Sequence, residues 1–237
     1  MTVTVPEISV EKIKELVHEL DTKGFAWLPN YVEHDALARM QMFVASAVDR
    51  SSGEYVHFNG PESLCGSGLD QLSCSPSFVK LMYDLFEHGT GNPAMKQEFY
   101  QVLRCLTGNS GRKHSMIFHY DSYVVTALIP IQIPSQGGSG DLLMYPNTRK
   151  LRSTYLFNII DKLLLGNPLT QKILRICVGI KKLSPVHIKM VPGNLYLFWG
   201  YRSIHTNEPC DPDKVRATAL FHYGNPHGRS LREQRTK

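Results

Sequence analysis

The spacing of hydrophobic positions changes character near residue 98. Before it, apolar side chains recur at helical intervals. Ile13, Leu16, Val17 and Leu20 share one face of a helix predicted over residues 10–20, with Ser9 as its N-cap. Gly24, the apolar run Phe25–Leu28 and the pair Pro29-Asn30 predict a short strand and a turn. Further helices are predicted over residues 35–48 and 76–87. Residues 51–75, rich in Gly, Ser and Pro, predict a loop long enough to suggest an active-site role.

Beyond residue 98 short β-rich runs dominate: 99–106, 115–121, 123–133, 141–145, 187–191, 194–199, 203–207 and 216–222. Turn signals separate most of them, among them Asn109-Ser110-Gly111, residues 136–140, Pro192-Gly193 and residues 209–212. This pattern predicts an α+β fold built on a double-sheet jelly roll or a barrel. Residues 151–179 interrupt it. Leu156, Ile159, Ile160, Leu163, Leu164, Ile173, Leu174 and Ile176 are most simply read as a helical insertion between strands, whose role as a lid, a dimer contact or plain packing is left open. The expected organisation is one domain over 1–237. Its parts are a helical support (1–97), a β core (98–225) with the insertion at about 151–180, and a basic tail (226–237).

Composition narrows the class. A chain of 237 residues with 42% hydrophobic and 20% charged positions buries a core without covalent staples. Cys65, Cys74, Cys105, Cys177 and Cys210 are odd in number and form no C-x-x-C pair, against a disulfide framework or a cysteine-built zinc site. No apolar run follows basic residues at the start, which predicts no secretory signal and a cytoplasmic location. No stretch reaches the roughly 18 apolar residues of a membrane span, so no membrane partner is expected. The net charge of +5 gathers at residues 149–152, at Lys181-Lys182 and in the tail 229–237. No aromatic residues interleave with these clusters, so a solvated surface is expected and nucleic acid is not. Absence of G-x-S-x-G and of a Gly-rich phosphate loop disfavours a hydrolase.

The chemistry gathers at three places. In a strand, residues two apart point to the same side, so His119 and Asp121 of Phe118-His119-Tyr120-Asp121 would share a face. That pair alone carries little information. His205, following the apolar run 195–198 and the turn Pro192-Gly193, supplies a second imidazole. Two His and one carboxylate leave one side of a metal open, the arrangement of non-haem Fe(II) oxygenases; structural zinc takes four protein ligands. Eleven residues after His205, Arg216 and Thr218 share a face of the next run. A buried guanidinium binds a carboxylate in two-pronged fashion, and the hydroxyl adds a donor.

Taken together, His119-Tyr-Asp121, His205 and Arg216-Ala-Thr218 resemble the pattern of the Fe(II)/2-oxoglutarate-dependent dioxygenase superfamily. That pattern is H-x-D, a long gap, a distal His, then Arg-x-Ser/Thr. The resemblance covers about residues 99–225, and the run Gly24-Phe25-Ala-Trp-Leu-Pro29 is similar to the superfamily's N-terminal edge. It implies a double-stranded β-helix core, Fe(II) on His119, Asp121 and His205, and 2-oxoglutarate as cosubstrate with O₂. It also implies that Arg216, helped by Thr218, binds the distal carboxylate of that cosubstrate. Related halogenases carry Gly or Ala at the Asp121 position, so a carboxylate there implies hydroxylation or another oxidation. Arg104, His114, Tyr123 and Arg202 are the candidate substrate contacts. Asp141 fits a turn before a strand, whereas His187 and His222 fit hydrogen-bonded core positions. The expected substrate is a small metabolite such as an amino acid or natural-product intermediate. A peptide or protein hydroxylase and a cupin-like metal-binding protein without turnover are the alternatives, and the oligomeric state is left open.

Overall fold

The computed structural model describes residues 3–152, 154–180 and 182–226. The basic tail from 229 and Lys181 of the second basic cluster lie outside the described residues. Ser9 caps helix α1 (Val10–Thr22) by accepting from the Lys12 amide at 3.2 Å. The α1 side chains Ile13, Leu16 and Leu20 are fully buried, each contributing roughly 1.5–3 kcal/mol. Strand β1 (Phe25–Leu28) follows, and Asn30 takes the positive φ of 50° that turns the chain into α2 (His34–Arg50). The stretch expected as one loop holds β2 (Val56–Asn59), a 3₁₀ turn (Glu62–Leu64) and α3 (Leu69–Cys74). Its glycines and serines end these short elements rather than prevent them. Helix α4 (Pro76–Thr90) then begins on a proline at its first turn.

The later strands are β3 (Tyr100–Leu106), β4 (Val125–Gln132), β5 (Leu142–Tyr145), β6 (Val186–Ile188), β7 (Leu195–Trp199), β8 (Ile204–Asn207) and β9 (Arg216–Tyr223). They form a mixed α/β architecture with two sheets in which every strand pair is antiparallel. One sheet has six strands in the order β1-β7-β4-β9-β3-β2, the other three in the order β6-β5-β8. The expected turn at Asn109-Ser110-Gly111 is a short helix, α5 (Gly108–Lys113).

The expected strand over 115–121 is absent. Met116 has φ 55°, and the amide and carbonyl of Phe118 bond the side chain of Gln171 at 3.0 and 2.8 Å instead of a neighbouring strand. Only His119 makes a bridge, exchanging two backbone hydrogen bonds with His205 at 3.1 and 3.0 Å.

Period-two alternation sorts the large sheet. Val125, Ala127, Ile129 and Ile131 of β4, Leu195, Leu197 and Trp199 of β7, and Ala217, Ala219 and Phe221 of β9 join α1, α2 and α4 in the main core. The alternate residues face the small sheet. Leu128, Tyr196 and Phe198 pack there against Leu142, Met144 and Ile188. Arg216, Thr218 and His222 belong to that same alternate set, so register alone delivers them to the space between the sheets.

The insertion is two helices, α6 (Tyr155–Gly166) and α7 (Pro168–Gly179), joined through Asn167. Of the readings left open for it, plain packing of the apolar face does not hold. Leu156, Ile160, Leu163, Leu164, Ile173 and Ile176 are all exposed, while Asn158 and Gln171 are buried. Among the described residues no helix is long and apolar enough to cross a membrane, and all five cysteines are free thiols.

Candidate functional site

The bridge between His119 and His205 brings the two imidazoles together, with ring centroids 4.4 Å apart. Each ring is oriented by its own backbone: Nδ1 of His119 donates to the Ile117 carbonyl at 2.9 Å and Nδ1 of His205 to the Ser203 carbonyl at 3.1 Å. These bonds place the proton on Nδ1 and leave the Nε2 lone pair free, as metal-ligating histidines require. The two Nε2 atoms lie 3.8 and 3.5 Å from Oδ1 of Asp121. All three potential ligand atoms lie within 4.8 Å of one another.

Asp121 is held by several contacts. Its amide donates to the Gly200 carbonyl at 3.0 Å, and its Oδ2 accepts from Thr126 Oγ at 2.5 Å. The Thr126 oxygen in turn accepts from Nδ1 of His222 at 3.0 Å. Burial opposes ionisation of Asp121, yet His205, His222 and His119 outweigh it and hold its carboxyl well below the usual range. Burial likewise opposes a charged His205, and Asp121 outweighs it, raising the imidazole. For His222 burial prevails and keeps the ring neutral, consistent with its donating only through Nδ1. Gly200 makes this geometry possible, because a Cβ there would stand 2.1 Å from Asp121 Oδ2 and 2.3 Å from Thr126 Oγ.

Beside the triad is a cavity of ≈ 370 Å³ of atom-free space, its opening included. His119, His205, Arg104, Arg216 and Thr218 line it together with Leu128, Leu142, Phe198 and Leu220. Arg216 is 3% exposed. Its Nε donates to the Gly140 carbonyl at 2.6 Å and its Nη1 to Thr218 Oγ at 3.1 Å. Among the described residues no carboxylate oxygen comes within ion-pairing distance of it. Burial, with Arg104 nearby, lowers its pKa to about 10, so it stays charged at neutral pH. Gly140 has φ +71°, and a Cβ there would meet Arg216 Cδ at 2.5 Å. A buried cation without an acid is costly unless an anion completes the site.

Of the other residues singled out from sequence, Arg104 lines the cavity, opposite Thr218 in the β3–β9 register. It donates to the His114 carbonyl at 3.1 Å. His114 stacks on Tyr55 at 3.9 Å beside the opening rather than in its lining. Tyr123 and Arg202 are not brought into the cavity. Tyr123 stacks between Tyr100 and His222, and Arg202 pairs with Asp21 at 2.7 Å. His187 is exposed rather than in the core; its Nε2 meets Glu208 at 2.8 Å and its Nδ1 lies 3.8 Å from Asp141. With both ring nitrogens turned to acids, it forms with Asp141 and Glu208 a second, more exposed cluster of groups able to ligate a metal. Sequence reasoning missed Thr126, Gly200 and Gln171. Their roles depend on contacts 5 to 96 positions away, with no local motif to mark them.

No family model and no curated protein matches the sequence. Solved structures do. The prolyl hydroxylase of Trichoplax adhaerens, in complex with a hypoxia inducible factor oxygen degradation domain peptide, matches with TM-score 0.61 and 15% identity over 94% of each chain. A Pseudomonas putida prolyl-4-hydroxylase matches with TM-score 0.56 and 13% identity, covering 95% of this chain and 98% of its own. The epimerase SnoN, in complex with Fe³⁺, alpha-ketoglutarate and nogalamycin RO, matches with TM-score 0.60 and 13% identity, covering 91% of this chain and 85% of its own. The chain therefore has the fold of the Fe(II)/2-oxoglutarate oxygenases.

Proposed function

We propose that this protein is a non-haem Fe(II)- and 2-oxoglutarate-dependent oxygenase that hydroxylates a small metabolite, and that its two sheets are the double-stranded β-helix of that class. His119, Asp121 and His205 would hold Fe(II), which suits two imidazoles and one carboxylate with an open side. When bound, the metal and 2-oxo acid supply the oxidising chemistry, drawing on O₂.

The observation that carries this reading is Arg216, buried and charged without an acid in the cavity that the triad faces. Its guanidinium and the Thr218 hydroxyl are poised for the far carboxylate of a 2-oxo dicarboxylic acid. A cupin-like binding protein would have no use for such an anchor. The chain's own work is positional: backbone carbonyls set the imidazole tautomers, Thr126 and His222 hold Asp121, and Leu128, Leu142, Phe198 and Leu220 exclude water. Arg104, charged and in the cavity lining, would meet an acidic group of the substrate, held there by its hydrogen bond to the His114 carbonyl. That favours a small acid over the peptide of the alternative reading.

The test is anaerobic. Protein given Fe(II) and 2-oxoglutarate is expected to develop a weak visible charge-transfer band, absent from His205→Ala. Succinate release across amino acids and other small acids then identifies the substrate. Wild-type protein that neither shows the band nor releases succinate would falsify the assignment.

A further inference from the structure

Helices α6 and α7 are amphipathic in the reverse of the usual sense. Leu156, Ile160, Leu163 and Leu164 form one stripe along α6, and all are exposed. On the opposite side of α6, Asn158 is buried against Arg149, Asp161 pairs with Arg149 and Arg152, and Lys162 bonds Ser122. Helix α7 repeats the pattern. Leu169, Ile173, Ile176 and Ile180 fall in one exposed stripe spaced by four, three and four residues. Opposite it Gln171 is buried on the backbone of Phe118. The polar faces thus grip the segment carrying His119 and Asp121, and the apolar faces meet solvent. Eight large aliphatic side chains exposed on two consecutive helices are more than the scattered single apolar residues normal on a soluble surface.

Charge distinguishes among occupants. Residues 149–189 contain nine Lys and Arg and one acid, Asp161; Arg149, Arg152, Lys162 and Arg175 bond inward, which leaves the lysines to set the charge of the outer side. Asp161 is already neutralised by its two arginines. Lys172 on α7 and Lys182 just beyond its end are exposed, as is Lys150 ahead of α6. A second copy docking through this face would set like charges against each other. An apolar stripe rimmed by lysines is the pattern of helices that lie in the interface of an anionic bilayer, leucines in the acyl region and ammonium groups among the headgroups.

We infer that α6 and α7 form a docking face for an anionic membrane surface, on which the protein lies without spanning it. Neither the inference nor its test requires metal or turnover.

The full-length protein is to be floated with vesicles of phosphatidylcholine alone and of phosphatidylcholine with phosphatidylglycerol, at low and high salt. It is expected to float with the anionic vesicles, less so at high salt. Leu163→Asp with Leu164→Asp should weaken binding at least about tenfold. Lys172→Glu with Lys182→Glu should weaken it less, and only at low salt. Met42→Asp, an exposed apolar position on α2, should bind as wild type while unfolding at the same temperature as the leucine variant. The inference is overturned if wild type stays with the unbound fraction at every composition, or if the leucine variant floats equally well. It is also overturned if sedimentation velocity shows a wild-type dimer that the leucine variant breaks, since a second copy would then cover the face.

Discussion

The space between the sheets and the outer face of α6 and α7 depart from the usual inside–outside rule in opposite directions. The first buries charge: Arg216, Asp121 and His205 sit among Leu128, Leu142 and Phe198. The second exposes Leu163 and Leu164 while Asn158 and Gln171 are buried. Both run against the free energy of an isolated monomer, since unpaired buried charge and exposed leucine are each unfavourable in water. In both, the departure is resolved by something outside the chain: a cation and an anion in one case, an apolar surface in the other. The difference lies in mutual support. The buried groups are held by a web of hydrogen bonds reaching Thr126, His222 and Gly140, whereas the exposed leucines hold nothing else in place.

That contrast makes the buried site fragile to small changes and the exposed face tolerant of large ones. The largest effect is expected at the triad. His205→Ala or Asp121→Ala should weaken Fe(II) binding by more than the ~100-fold typical of losing a supporting contact; calorimetric titration showing near-native affinity would remove these residues as ligands. Gly200→Ala should come next. Its added methyl displaces the Asp121 carboxylate, so Fe(II) affinity should fall while the far-ultraviolet circular dichroism is kept; unchanged affinity would mean that Asp121 tolerates another rotamer. Arg216→Ala should raise the 2-oxoglutarate requirement by ~10–100-fold, the range for a hydrogen bond to a charged group, and leave the iron requirement nearly unchanged. Equal losses of both would make Arg216 structural. His222→Ala, which removes the support behind Thr126, should cost ~10–100-fold in metal affinity without touching the 2-oxoglutarate requirement.

The smallest expected effect links the two regions. Arg152 and Arg149 hold the Asp161 carboxyl below its ordinary value by hydrogen bonding, against the opposing effect of burial. A carboxyl depressed on folding contributes stability that is present above its unfolded value of about 3.9 and is lost as pH falls through the folded one. Asp161→Asn should therefore lower the unfolding temperature by a few degrees at pH 6, with a smaller gap near pH 3. A gap that widened on acidification would reverse the sign argued here.

Much of the scaffold is legible locally. The spacing of Ile13, Leu16 and Leu20 and the Ser9 cap define α1 before any tertiary contact is considered. The alternation along β9 places Arg216 and Thr218 on one face, which is where the cavity is. The weak points have one origin. Residues 115–121 look like a strand because their composition is β-rich, but a side chain 53 positions away takes the hydrogen bonds a strand neighbour would use. Residues 151–179 leave their role open because apolar periodicity specifies that a face exists without saying which way it turns.

By itself the sequence marked most of the helices and strands, the identity of the triad residues with Arg216 and Thr218, and the basic clusters at 149–152 and 181–182. These follow from side-chain period, residue chemistry and composition, all short-range properties. Only the tertiary structure decided that His119 bridges His205, that Gly200 makes room for the Asp121 carboxylate, that Tyr123 and Arg202 point elsewhere, and that Leu156, Leu163 and Leu164 of α6 face solvent. Those depend on which distant segments compete for the same backbone groups and the same volume, and no local pattern encodes the outcome of that competition.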